Sequence, residues 1–205
     1  MTEREPPAAP RKRLFALRHP PVERFAGAVG HLELAQLSPA APLAAATAPV
    51  LAALGLRQIL SSPRRRCHDI AEHLAALLGI PLHVDERLRE LDHGRWTGHL
   101  WEQIEAYDHA AYHHWLTHWI SQGPPDGGES ADALTARVRA VIVEAPSDSL
   151  LVTHRGPLQA LHHLSGMPWP DAAAVHCANL GEPGALISVE VQPISILHTL
   201  VSLAV

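Results

Sequence analysis

Two histidines, two arginines and one glutamate carry the chemistry that this 205-residue sequence offers. Arg18 and His19 follow the apolar run Leu14-Phe15-Ala16-Leu17 and precede Pro20-Pro21. Arg66 lies in Leu60-Ser61-Ser62-Pro63-Arg64-Arg65-Arg66-Cys67, Glu90 in Leu88-Arg89-Glu90-Leu91-Asp92-His93-Gly94-Arg95-Trp96-Thr97-Gly98, and His154 follows Leu150-Leu151-Val152-Thr153. Histidine is a competent nucleophile near neutrality because its unperturbed pKa leaves much of it as free imidazole, unlike lysine. A phosphate monoester is anionic, so a site for it needs several fixed cationic donors, and arginine's planar fork binds two phosphate oxygens at once. An alkoxide leaves poorly unless protonated, which calls for a carboxylic acid whose pKa is raised by burial or by an anionic ligand. His19 as nucleophile, Arg18, Arg66 and His154 as oxygen donors, and Glu90 as acid would together suit phosphoryl transfer. Neutral His19 and protonated Glu90 would give a bell-shaped pH profile.

Alone, an Arg-His dipeptide is most often a surface charge beside a turn residue, so the case rests on the elements that position it. Proline cannot continue a strand's hydrogen bonding, which places Arg18-His19 where a buried strand ends. In an open α/β sheet ligands bind outside the carboxyl ends of the strands. Residues 20–42 have little periodicity and read as an active-site loop. Periodicity and stop signals then predict a helix over 43–54, a strand over 56–60, a helix over 65–78 with Ile70, Leu74, Leu77 and Leu78 on one stripe, and a strand over 82–84. A long helix follows over 100–120, then a Gly/Pro loop, a helix over 131–144, a strand over 150–153, a helix over 156–164 and a strand over 185–191. This alternation predicts an α/β fold, a three-layer α/β/α sandwich whose mostly parallel sheet carries helices on both faces. The expected organisation is a disordered N-terminal tail (1–12), one domain (13–193) and a C-terminal tail with no assigned role (194–205).

Composition narrows the class of partner. With 47% hydrophobic residues the chain is long enough for one substantial core. A net charge of −5 argues against a nucleic-acid binder. No apolar run approaches the length of a membrane span, and 1–13 lacks the apolar region of a signal peptide. Only Cys67 and Cys177 are present, which implies no disulfide framework. A cytoplasmic protein acting on a small phosphorylated metabolite fits these features, with a homodimer left open.

Taken in order, the four segments resemble the histidine phosphatase superfamily, the phosphoglycerate-mutase-like fold. Its patterns run Arg-His-Gly, Ser-Ser-Pro-x-x-Arg, Leu-x-Glu-x-x-x-Gly-x-Trp-Glu-Gly, and a hydrophobic strand into a second histidine. The resemblance spans 13–191. It implies that His19 attacks phosphorus and becomes phosphohistidine, that Arg18, Arg66 and His154 hold the phosphoryl oxygens, that Glu90 protonates the leaving oxygen and then activates water, and that neither metal nor cofactor is needed. Within the superfamily the sequence is most similar to the α-ribazole phosphatases, whose members often read Arg-His-Pro followed by a Gly-x-x-Asp-x-Pro-Leu stretch. Removal of the 5′-phosphate of α-ribazole 5′-phosphate, or of a cobalamin 5′-phosphate, in cobalamin biosynthesis is the implied reaction. Alternatives are a broad-specificity small-molecule phosphatase and a non-catalytic phosphate binder that keeps the fold. The Trp-Asn element of the mutases is missing after Pro20. The chain departs from the family at Pro20, at Thr97, at Arg155, and at His31 and Glu33 in the loop that would face substrate. Glu33 and Arg155 are accordingly the candidate substrate-binding residues.

Other features are set aside. His109/His113 and His114/His118 are each four apart, a spacing that can chelate a metal, and would suit a metal-dependent hydrolase. Sixteen histidines make such pairs easy to find by chance, and no glutamate follows the first histidine as in a zincin helix. Trp101, Trp115 and Trp119 on the same predicted helix read as packing or lid residues. Gly127-Gly128-Glu129-Ser130 reads equally as a helix cap or as a loop bordering the pocket.

Overall fold

Leu14 to Leu17 fill the middle of strand β1 (Lys12–Arg18) and alternate between two cores, Leu14 and Ala16 in one, Phe15 and Leu17 in the other. A strand buried on both faces must be covered by helices on both. The computed structural model, which describes residues 12–182, 185–191 and 196–203, shows that arrangement. Strands β1, β2 (Gln58–Ser61), β3 (Leu82–Val84), β4 (Ser149–Thr153), β5 (Leu186–Val191) and β6 (Ile196–Leu203) form one sheet in the order β3-β2-β4-β1-β5-β6. The first four in that order are parallel; β5 and β6 each run antiparallel to the strand before them.

β6 alters the sequence-based division of the chain. Residues 194–205 are expected as a tail, yet 196–203 pair with β5 and lengthen the sheet past residue 193. An edge strand exposes a row of unpaired backbone groups, and the last segment of the chain supplies partners for those of β5. The expected N-terminal tail lies outside the described residues except for Lys12, which opens β1.

Helices α1 (Ala40–Ala52) and α2 (Arg65–Leu78) cover the Phe15/Leu17 face through Ala44, Leu51, Ile70 and Leu74. α2 ends, as its sequence predicts, on Gly79 in the left-handed region (φ 65°). Leu77, expected on its buried stripe, is exposed. The long helix expected over 100–120 is two helices, α3 (Trp101–Tyr107) and α4 (His109–His118), separated by Asp108 at φ −131°. The Asp108 carboxylate accepts from Trp96 Nε1 (2.7 Å) and from Arg95, which ties the break to the loop beneath it. α3 and α4 close over a small separate core of Ala28, Trp96 and Ile104. α5 (Ala131–Glu144), α6 (Arg155–Leu164) and α7 (Trp169–Ala174) cover the Leu14/Ala16 face.

Parallel register brings three strand ends to one edge. Arg18 lies beside Thr153, and Ser61 beside Val152. The next residues, His19 and Ser62, donate their backbone N–H groups to Thr153 and Val152, each at 3.0 Å. His19, Ser62 and His154 are thereby neighbours in space.

Candidate active site

His19 is 3% exposed. A residue before proline is restricted to extended backbone, and here the restriction is useful, because the Pro20 carbonyl stands 2.6 Å from His19 Nδ1. A carbonyl only accepts, so Nδ1 carries the proton and Nε2 the lone pair. Nε2 makes no hydrogen bond among the described residues. Asn179 Nδ2 donates to the His19 carbonyl (2.8 Å) and holds the backbone from the other side. Burial pushes the imidazole pKa down to about 3; the Pro20 bond opposes it as the next largest effect, and the nearness of Arg18 and then Arg66 adds to the lowering. The ring is therefore neutral at ordinary pH.

Arg66, at the start of α2, is 1% exposed. Its guanidinium donates to Leu32 O (2.6 Å), to Gly30 O (3.4 Å) and, through Nε, to His154 Nδ1 (3.1 Å). Arg18 donates to Cys177 O (2.8 Å), while its buried Nε has no partner. Among the described residues neither arginine has a carboxylate within ion-pair distance. A buried and a half-buried cation without carboxylate partners are costly unless something anionic completes them.

His154 is fully buried, with its ring centroid 5.3 Å from that of His19. Because Arg66 donates to its Nδ1, Nε2 carries the hydrogen, which goes to Ser62 Oγ at 2.8 Å. Both of its nitrogens are thus engaged within the protein. Burial, with Arg66 next, holds its pKa well below the ordinary histidine value.

Glu90 follows a short 3₁₀ turn (Glu86–Leu88), and its Oε1 accepts from the backbone N–H groups of Leu91 (3.0 Å) and Gly156 (2.9 Å). That leaves Oε2 unbonded among the described residues. A Cβ built on Gly156 would lie 2.4 Å from Glu90 Oε1, so only glycine allows this approach.

Arg18, His19, Arg66 and Glu90 line one cavity of about 400 Å³ together with Arg155, Gly156 and Gln159 of α6. Val22, Phe25, Gly27, Val29 and Leu34 from the expected active-site loop, with Leu91, Trp101 and His93, complete it. An adjoining recess of about 580 Å³ shares Arg18, Val22, Phe25, Val29 and Leu34 and adds Asn179 and Glu182. Arg155 Nη2 and Gln159 Nε2 both donate to Ala173 O, at 3.2 and 2.6 Å. Glu33 does not reach the cavity: its carboxylate lies 3.4 Å from Arg64, where it pairs on the surface. His31, the other departure in that loop, bonds the Glu90 carbonyl (3.0 Å) and lies 3.5 Å from Asp92.

His93, Phe25, Gln159 and Gly156 are cavity residues that the sequence reading does not single out. His93 could have been found as a polar residue within the Glu90 motif; its Nδ1 is buried and unpartnered, and its ring meets Trp101 edge-on at 5.5 Å. Phe25 and Gln159 carry no local signal. The paired histidines of α4 do not line the cavity.

A sequence model of the histidine phosphatase superfamily, branch 1, matches residues 28–191. The chain belongs to that superfamily. Arg18 and His19 lie just before the matched stretch, which contains Arg66, Glu90 and His154. This histidine phosphatase is 32% identical over 182 residues to a protein of Hydrogenobacter thermophilus (strain DSM 6534 / IAM 12695 / TK-6) provisionally named phosphoserine phosphatase 2, covering 83% of this chain and 87% of the relative. The native structure of a mycobacterial glucosyl-3-phosphoglycerate phosphatase superposes with a TM-score of 0.76 at 26% identity, covering 95% of this chain and 99% of the other. That mycobacterial protein has also been solved with inorganic phosphate. The α-ribazole phosphatase of Shigella flexneri shares the fold, with a TM-score of 0.75 at 21% identity over 93% of this chain and 96% of its own. The protein is a phosphomonoesterase of the histidine phosphatase superfamily.

Proposed function

We propose that this phosphatase acts through a phosphohistidine on His19, and that its substrate carries a flat, largely apolar leaving group of the α-ribazole 5′-phosphate kind. The observation that carries the mechanism is a neutral imidazole, its Nε2 unbonded, sharing a cavity with the buried Arg66 and the half-buried Arg18, neither of which has a carboxylate partner among the described residues. The Nε2 lone pair attacks phosphorus and the ester P–O bond breaks, while the leaving oxygen takes a proton from Glu90. Water then returns a proton to Glu90 and attacks phosphorus, the P–N bond breaks, and inorganic phosphate leaves. Pro20 O holds the Nδ1 proton throughout and stabilises the charge that the ring gains. Arg18 and Arg66 bind the equatorial oxygens, where transition-state charge is spread. His154 holds Arg66 in the resting site, and its Nε2–H becomes a third donor once a phosphoryl oxygen replaces Ser62 Oγ.

Turnover of p-nitrophenyl phosphate in EDTA tests this. Activity should survive chelation and fall at least about a thousandfold in His19→Ala. Glu90→Gln should slow alkyl phosphates far more than p-nitrophenyl phosphate, whose leaving group needs no proton. Wild-type turnover by His19→Ala would overturn the mechanism.

Phe25, Trp101, Val22, Val29 and Leu34 supply a face for a planar apolar group, and the adjoining recess supplies room for a ring system beyond it. Such walls favour a benzimidazole riboside over serine or a glycerate. Arg155 supports a second reading, since a guanidinium on the cavity wall would pair with the carboxylate of a phosphoglycerate ester. The kcat/KM values for α-ribazole 5′-phosphate, glucosyl-3-phosphoglycerate and phosphoserine separate the two. The first should lead; leadership by either of the others would remove the apolar-leaving-group assignment and leave the His19 mechanism standing.

A further inference from the structure

The histidine pairs of α4 gain a third member in the folded chain. Glu105 of α3 and His109 and His113 of α4 place one potential ligand atom each within 4.8 Å of one another, all exposed. The rings of His109 and His113 are 4.2 Å apart, one turn of α4 setting them side by side. His113 Nε2 already lies 3.3 Å from Glu105 Oε1. Ligand atoms on one tetrahedral zinc ion, with bonds of about 2.0–2.1 Å, are themselves about 3.3 Å apart. That pair therefore sits at the spacing a shared ion requires, and exposed side chains can rotate to bring in the third.

We propose that Glu105, His109 and His113 form a binding site for a zinc-like divalent cation that braces the α3–α4 junction. Two imidazoles and one carboxylate suit such an ion, with water completing the shell. The ion would span Asp108, where helical geometry is interrupted. The same two helices carry Trp101, stacked on Trp115 (centroids 5.7 Å) and Tyr112 (6.2 Å); Trp101, one turn before Glu105, is a wall of the active cavity, and the Tyr112 ring meets that of His113 edge-on at 5.8 Å. An ion outside would thereby stiffen the cap over the site without entering it. His114 and His118, stacked at 4.1 Å, have no such carboxylate grouped with them among the described residues, and His114 Nε2 meets Gln122 Oε1 at 2.8 Å.

The test is calorimetric titration of EDTA-stripped, buffer-exchanged full-length protein with zinc chloride, alongside its thermal unfolding with and without the ion. One-to-one binding that raises the melting temperature is expected. It should weaken at least about tenfold in His113→Ala and in Glu105→Gln and stay unchanged in His114→Ala. All three positions are exposed, and circular dichroism would verify that each variant is folded. The proposal fails if binding is absent, if His113→Ala binds as tightly as the parent, or if His114→Ala is the variant that loses it. None of these readouts depends on turnover, so the His19 mechanism is tested separately.

Discussion

His19 shows how surroundings change a residue that the sequence identifies only by type. An exposed histidine would be partly protonated near neutrality, whereas burial with two guanidiniums nearby keeps this one neutral down to about pH 3. The acid limb of the expected bell-shaped profile therefore does not arise from His19 in the free enzyme. Nitrogen NMR of the His19 ring should show one tautomer, protonated at Nδ1, with no titration between about pH 5 and 8. Gly156 makes a sharper test of the Glu90 assignment. Glycine to alanine in a helix normally gains up to about 1 kcal/mol, but here the new methyl meets Glu90 Oε1 at 2.4 Å. Gly156→Ala should lower kcat on alkyl phosphates by about ten- to a hundredfold while leaving the fold intact, since misplacing a catalytic group by about an ångström costs that much. Arg155→Gly should raise KM several-fold at nearly constant kcat; unchanged values for both would reduce Arg155 to a support for Ala173 O.

At the scale of elements, the cap depends on one carboxylate. Asp108 interrupts what the apolar pattern of 100–120 presents as one helix, and its Oδ2 serves both Trp96 Nε1 and Arg95. Trp96 is fully buried, so removing its acceptor strands an indole N–H at a cost of about 1–3 kcal/mol. Asp108→Ala should destabilise by that amount in urea melts, and Asp108→Asn, which keeps an acceptor oxygen, should lose clearly less. Equal losses would mean that the ion pair with Arg95, not the indole bond, holds the junction. Sequence periodicity does not reveal the break because it reports which face is apolar, and both helices share one apolar face toward Trp96. The same limit hides β6, whose residues mix apolar and polar types and find their place only when β5 presents a free edge.

For the molecule as a whole, acid should be destabilising in a defined window. Burial is the leading cause of lowered pKa values for His19, His31, His93, His154 and His162. In the unfolded chain these imidazoles bind protons near pH 6.5; in the folded chain they do so lower, His19 only at about 3. The unfolded state thus binds more protons as pH falls, so their contribution is complete above about pH 6.5 and drains away below it. Asp108, held below its ordinary value by bonds from Arg95 and then Trp96, adds to this only at still lower pH. Urea midpoints should fall from about pH 7 to 5, and less steeply in His19→Asn; a flat midpoint would show the histidines to be accessible in the native state. Among the described residues no helix is long and apolar enough to cross a membrane. The residue types at the strand ends, the alternation of strands and helices, and the order of four short segments were all legible from the sequence, because strand termination by Pro20, helix stopping by Gly79 and apolar periodicity are local effects. Only the tertiary structure decided that Glu33 turns to Arg64, that His154 holds Arg66, and that Gly156 admits Glu90. Each of those depends on chain segments far apart in sequence being brought together by the fold, and no spacing along the chain encodes that distance.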